Sequence, residues 1–339
     1  MDKQTPESGV SMAFAFGDPE PVLSHRMNDY LGVFLDWSGS YYRPPIDLNG
    51  LADLINANAY HGPILHFKAD RVRQWFTPSA LLDSQTLRKL AFDYATFGNA
   101  YLQCFKNRFG NLTRLGYLPA LSMRPTKNAE VFVKLRSPSD PDYAQRAFIT
   151  FNPGEVIHLK EHDVKQSIFG IPQYLGGIQS VLLSEDSTLF RRKFFLNGAH
   201  MGYILVTTDA NLDEATAKAI EAKVKESKGP GNFRSLYLNI PRSSNKQPVK
   251  VIPVGQFGSK DEYQAIKDVT QEEMLIMHRC YPGLVPALPA NIGGFGNLET
   301  SMRVYYEMEV TAMQAVWLQI NDLTGTNAVR FSTPDWKAP

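Results

Sequence analysis

Two histidines and a glutamate stand at the spacing of a zinc hydrolase, His158-Leu-Lys-Glu161-His162. That chemistry needs a helix, so that histidines one turn apart face one metal while the Glu holds the attacking water. The run Pro153-Gly-Glu-Val-Ile-His-Leu-Lys160 instead alternates like a strand. On a strand, positions 158 and 162 share a face but lie about 13 Å apart, too far for one ion. The expectation is a strand end with solvated polar residues and no metal. The zinc-hydrolase reading on His158, Glu161 and His162 stands as the rival, decided by zinc content per chain. Two Gly-rich places invite a phosphate, Lys228-Gly-Pro-Gly-Asn232 and Gly293-Gly-Phe-Gly-Asn297. Neither has the Lys-Ser/Thr of a phosphate loop or follows a buried strand in a βαβ unit. The first reads as a helix stop. The second opens a helix at Asn297, whose free N–H groups could face an anion, although a flexible loop is the plainer reading. Arg191-Arg192-Lys193 is a charge run inside a helix, either a solvated face or a contact with a neighbour or DNA. No Gly-x-Ser-x-Gly occurs, and Cys104 and Cys280 exclude a disulfide scaffold and a four-cysteine zinc site. No catalytic constellation, metal site or cofactor site survives, so no enzyme is expected.

Composition narrows the classes further. Apolar residues make up 43% of the 339 positions, which excludes disorder over most of the length. Lys plus Arg is 35 against 34 for Asp plus Glu, far from the basic excess of a protein that coats nucleic acid. No stretch approaches the ~18–20 apolar residues of a membrane span. The first residues carry Asp2, Lys3 and Glu7, and the run Met12 to Phe16 is too short for a signal peptide. A soluble intracellular protein is expected, without a membrane partner.

The elements that would position these residues are of mixed type, an α+β chain. Residues 1–20 read as a mobile arm. A helix is predicted over 84–97, with Leu87, Leu90, Ala91, Tyr94 and Phe97 on one face and Gly98-Asn99 as its stop. Strand runs follow at 100–106, 112–118, 130–136, 146–151 and 155–160, the first two joined by a hairpin-type turn at Arg108-Phe-Gly-Asn111. After Pro172 the chain reads as one long helix over 175–197, about 34 Å long. A compact β-α-β-β unit follows, with strands at 201–208, 235–240 and 249–254 and a helix over 212–227. Ser259 and Glu262 form a capping-box pattern that opens the next helix, through about His278. Residues 282–298 have no period and hold three prolines and four glycines. The last helix is predicted over 299–321, where Met302, Tyr306, Val310, Met313, Trp317 and Ile320 make a narrow 3.5-residue stripe. Charge is uneven: Lys218 to Lys260 has a net of +7, and Asp261 to Val310 a net of −5. A monomeric nucleic-acid-binding module on the basic 218–260 unit is the second rival, decided by size in solution.

Four segments carry a resemblance: Phe97-Gly-Asn-Ala-Tyr-Leu102, Phe169-Gly-Ile-Pro-Gln-Tyr-Leu175, Leu189-Phe-Arg-Arg-Lys-Phe-Phe-Leu-Asn-Gly-Ala-His200 and Lys228-Gly-Pro-Gly-Asn-Phe233. In this order and spacing they resemble the portal proteins of temperate, contractile-tailed bacteriophages, the PBSX-type family, from about Phe14 to Phe331. The resemblance implies a portal-type fold and a ring, typically of twelve subunits, at one vertex of the phage head. It also implies assembly in the host cytoplasm, and partners in the terminase, the major capsid protein, a tail or head-completion connector, and passing double-stranded DNA read without sequence specificity. On this map the arm is 1–20, the wing 21–170, the first stem helix 171–198, the clip 199–257 and the second stem helix 258–281. The channel loop is then 282–298, the long helix 299–321 and a short tail 322–339, with any C-terminal crown small or missing. The uncharged loop offers Asn291, Gly293, Gly294, Phe295 and Asn297 as candidate DNA contacts, and the basic clip offers Lys223, Lys225, Lys228 and Arg234 to a partner at the ring's outer end. Arg191, Arg192 and Lys193 are candidates for a subunit or DNA contact. Acidic helices beside a sliding polyanion would keep friction low. The stripes on 175–197 and 299–321 are expected to help pack neighbouring subunits or the stem.

Overall fold

The computed structural model describes residues 33–143, 147–196, 203–207, 236–239, 249–253, 260–281, 284 and 298–337. Two helices come first, α1 (Leu48–Leu54) and α2 (His61–Gln74), followed by the short strand β1 (Phe76–Thr77). The predicted 84–97 helix is α3 (Ser84–Phe97). Asp83 caps it by accepting from the Gln85 and Thr86 amides, and Gly98 ends it in the left-handed region at φ 69°.

The five expected strand runs are all present, as β2 (Asn99–Lys106), β3 (Leu112–Leu118), β5 (Phe132–Leu135), β6 (Phe148–Phe151) and β7 (Val156–Lys160). A short β4 (Met123–Pro125) joins them. They form two antiparallel sheets, β3-β2-β7 and β4-β5-β6. The side chains of β2 alternate between two cores, as strand geometry requires. Ala100 and Leu102 pack with Leu87, Leu90 and Leu115, whereas Tyr101 packs with Leu118, Phe132 and Tyr174.

The predicted 175–197 helix begins as a 3-10 turn at Gln173–Gly177 and continues as α4 (Ile178–Leu196). Three strands of the small unit are described: β8 (Tyr203–Thr207), β9 (Leu236–Asn239) and β10 (Val249–Pro253). β8 is central, parallel to β9 and antiparallel to β10. A parallel pair needs a crossover rather than a tight turn. The crossover helix expected over 212–227 lies outside the described residues, as does the 1–20 arm.

Helix α5 (Lys260–Met277) packs on α4, and the Ser180 hydroxyl donates to Glu273 between them. The long last helix differs from expectation. It runs as α6 (Leu298–Tyr305), a π-helical turn over Tyr306–Val310, and α7 (Thr311–Thr324). The steps Met302, Tyr306 and Val310 are each four residues, and each drifts about 40° on a 3.6-residue helix. The wider π turn takes up that drift and keeps Tyr305, Tyr306 and Val310 buried together. The stripe is therefore core of its own subunit and not a subunit seam: Tyr306, Val310, Trp317 and Ile320 are all buried within the chain. On α4, by contrast, Leu183 and Leu189 remain exposed. The chain then returns to the start of the fold, where β11 (Arg330–Phe331) pairs with β1 and Ala328 and Val329 complete the first core.

Candidate functional site

The His-x-x-Glu-His residues do not converge. His158 lies on β7, as the alternation predicted, and stacks flat on Tyr101 at 4.1 Å. Its Nε2 bonds the Asn99 Oδ1 at 2.9 Å, and burial, with Lys160 adding to it, pushes its pKa down to about 3. Glu161 accepts from the Tyr94 hydroxyl and the Gln173 amide, and His162 is exposed.

Two of the four segments that carry the resemblance meet in space. Asn99 of the Phe-Gly-Asn segment is 3% exposed and forms four side-chain bonds. Its Nδ2 donates to the Phe97 and Gly170 carbonyls, and its Oδ1 receives the Gly170 amide and His158. The backbones approach so closely that a Cβ on Gly170 would lie 2.0 Å from the Gly98 carbonyl oxygen. Tyr174, four residues on, donates its hydroxyl to the Thr96 carbonyl at 2.7 Å. This polar pin locks the end of α3 and the start of β2 to the turn that leads into α4.

A second polar cluster sits where α2, the end of α5 and the π turn meet. His61 Nδ1 and His278 Nε2 lie 2.9 Å apart, both buried, with Tyr174 against them. Burial lowers the His61 pKa to about 4; burial, then His61 and Lys68, lower that of His278 to about 2. The His61 Nε2 has no partner among the described residues. Lys68 donates to the His278 carbonyl at 3.3 Å, and burial holds its ammonium below the ordinary lysine range. A cavity of about 240 Å³ opens beside it, with Lys68, Glu161, Arg279 and Glu309 on its walls and Ala95, Met313, Val316 and Trp317 among its apolar lining.

Helix α5 ends in a Schellman pattern, with the Arg279 and Cys280 amides returning to the Ile276 and Leu275 carbonyls. Arg279 occupies the left-handed position where glycine is usual; at φ 56° it is the one such non-glycine among the described residues. Its guanidinium reaches Glu309 in the π turn at 2.8 Å. Cys280 Sγ lies 3.8 Å from the Tyr305 hydroxyl, and the Tyr281 hydroxyl donates to Met308 Sδ at 3.6 Å. Three successive contacts thus bridge residues 279–281 to 305–309, on either side of the Pro/Gly-rich segment.

The candidate loop contacts Asn291, Gly293, Gly294, Phe295 and Asn297 lie outside the described residues, as do Lys223, Lys225, Lys228 and Arg234. Arg191 and Arg192 are exposed on α4, and Lys193 follows them on the same helix. The acidic balance of 261–310 is partly engaged inside the chain, since Glu309 pairs with Arg279 and Glu299 with Arg303. The sequence reading missed His61, Lys68, His278, Arg279 and Glu309 as a cluster. The available signal was local: His278-Arg279-Cys280 immediately follows a predicted helix and precedes Pro282.

Known proteins resemble this chain in sequence and in fold. The sequence model of the family "Phage portal protein" matches residues 76–322, from β1 to α7. The chain belongs to the phage portal protein family. The probable portal protein of Haemophilus phage HP1 is 38% identical over 288 residues, covering 85% of this chain and 83% of that one. The probable portal protein of Escherichia phage P2 is 33% identical over 326 residues, covering 96% and 92%. Among solved structures, an HK97-family phage portal protein from Corynebacterium diphtheriae matches with a TM-score of 0.54 at 12% identity, over 83% of this chain and 94% of that one. A chain from the neck of a native gene transfer agent particle, computed with C12 symmetry, matches with a TM-score of 0.57 at 13% identity, over 86% and 85%. These structural likenesses support a portal-type α+β fold. The protein is a portal protein, a structural head–tail connector and virion component of a bacteriophage.

Proposed function

We propose that this portal chain assembles into a closed ring of twelve copies at one vertex of the head, and that the ring is the channel through which DNA is packaged and later ejected. The match across residues 76–322 carries this reading, because it spans the sheets, both stem helices and the long helix together. The chain breaks no bond and holds no cofactor. It docks the terminase during packaging, sits in the major capsid protein shell assembled in the host cytoplasm, and afterwards meets a tail or head-completion connector. The four segments favour the PBSX-type branch of the family. Within this reading, residues 21–170 are the wing, 171–198 and 258–281 the stem, 199–257 the clip and 282–298 a channel loop. The bridge between 279–281 and 305–309 supports the loop reading, since it ties the chain before the segment to the helix after it. The net charge of +7 from Lys218 to Lys260 supports an electrostatic contact at the clip.

Packaging assays test the whole. Heads built with a chain lacking 288–296 should assemble but fail to package or retain full-length DNA. Reversing Lys223, Lys225 and Lys228 to Glu should weaken partner binding in a salt-dependent way. Heads that fill and keep full genomes with no portal chain present would overturn the reading.

A further inference from the structure

The described chain begins with a tight hairpin. Leu35 and Tyr42 bridge, the Asp36 amide donates to the Tyr41 carbonyl, and the Arg43 amide donates to the Phe34 carbonyl. The Asp36 carboxylate fills the turn, accepting from the amides of Ser38, Ser40 and Tyr41 and from the Ser38 hydroxyl. Its pKa sits at about 2: desolvation would raise it, but these hydrogen bonds prevail. The hairpin is fixed to the body by the Tyr42 amide, which donates to the Pro125 carbonyl on β4, and by Tyr41 edge-on to Phe148 on β6. All this internal bonding presents one side chain. Trp37 is 99% exposed, and Phe34 at the hairpin base is 66% exposed.

A large aromatic on a pre-ordered turn is what an interface anchor requires, because little conformational freedom is lost when it is buried. A scattered exposed leucine needs no such explanation; a fully exposed indole held by a saturated turn does. The chemistry also limits the partner. The one charge between Phe34 and Tyr42 is Asp36, whose carboxylate is engaged within the turn, so the tip offers no cation to a phosphate backbone. It suits an apolar protein surface. The same chain leaves such surface uncovered on one flank of α5, where Ile266, Val269 and Ile276 are 38%, 54% and 74% exposed. A head-to-tail ring needs two different surfaces on every copy, one that projects and one that receives.

We propose that the Trp37 hairpin is a subunit contact, its indole buried against the adjacent copy of this chain; this rests on the ring reading above. Trp37→Ala should leave the monomer's thermal melt unchanged, because the side chain touches solvent alone. It should raise the concentration needed for half-assembly by at least about tenfold, the loss expected for an anchor residue. Mass photometry across a dilution series reads that shift. Acrylamide quenching gives a second readout among the four tryptophans, since the wild-type-minus-variant signal isolates Trp37. The indole should be open to quencher in monomer and protected in purified rings. Rings that form equally well with Trp37→Ala, with Trp37 still quenched, would overturn the contact and leave the ring intact. Protection that arises in whole particles and not in purified rings would assign the hairpin to another head protein and also overturn it. An indole already shielded in the monomer would do the same. A wild-type chain that never assembles would remove the ring and the contact together.

Discussion

The pin around Asn99 and the junction around His278 lie on either side of Tyr174, and they treat buried polar groups in opposite ways. At the pin, Asn99 uses donors and acceptor in four bonds, and two glycines bring backbones into contact with no room for a Cβ. At the junction, a histidine nitrogen lacks a partner among the described residues, an ammonium holds a single long bond, and a cavity of about 240 Å³ lies alongside. A left-handed arginine and a π turn complete it. Saturated packing defines one geometry; under-satisfied packing with free volume tolerates more than one. The sheets and α3 therefore form a rigid frame, and compliance is concentrated where α2, the end of α5 and the π turn meet.

The largest expected effect strikes the frame. Gly170→Ala drives a Cβ into the Gly98 carbonyl, where only backbone can move. It should cost more than about 4 kcal/mol and appear as loss of soluble chain or a collapsed thermal melt. Near-normal melting would mean that the pin is soft.

Acid should strike the junction. His61 and His278 are held neutral in the fold, below the ordinary histidine value near 6.5. Their stabilisation is fully present above pH 6.5 and is lost as pH falls toward their folded values, because the unfolded chain takes up protons first. His61 alone should account for about 2 kcal/mol between pH 7 and pH 5. Asp93, raised to about 6 by burial against its bonds from Ala120 and Tyr117, pulls in the opposite direction. Urea melts of wild type against His61→Asn isolate the histidine; the variant should be weaker at pH 7 but show a shallower acid slope.

Arg279 separates strain from pairing. Arg279→Gly relieves the left-handed backbone, whereas Arg279→Ala keeps the strain; both lose the partly exposed link to Glu309. The Gly variant should be more stable than the Ala variant by about 1 kcal/mol in chemical denaturation. Smallest of all is the response to added volume at the cavity. Ala95→Leu at the cavity wall should change stability by less than about 1 kcal/mol, whereas Ala100→Leu on β2, fully buried, should cost about 1–3 kcal/mol.

Much of the frame was legible in sequence, because its elements declare themselves locally. The α3 stripe and Gly98 gave the helix and its end, and the alternation of 153–160 correctly kept His158 on a strand. Helices α1 and α2 escaped. His61-Gly-Pro63 and the cations Lys68, Arg71 and Arg73 interrupt the apolar face made by Ile64, Leu65, Ala69 and Val72. The stripe of the last helix was visible, but its target was not: a stripe looks the same whether it faces its own core or a neighbour. The junction was hidden for a deeper reason. Its contacts join residues 25 to 217 positions apart, from Cys280 and Tyr305 to His61 and His278, and no local spacing encodes them.

The claim on which the rest depends is the ring, and electron micrographs of the purified full-length chain, with particle mass measured alongside, test it most directly. Closed rings of about twelve copies around a channel wide enough for duplex DNA are expected. Monomers or twofold dimers alone, at every salt and concentration tried, would contradict it.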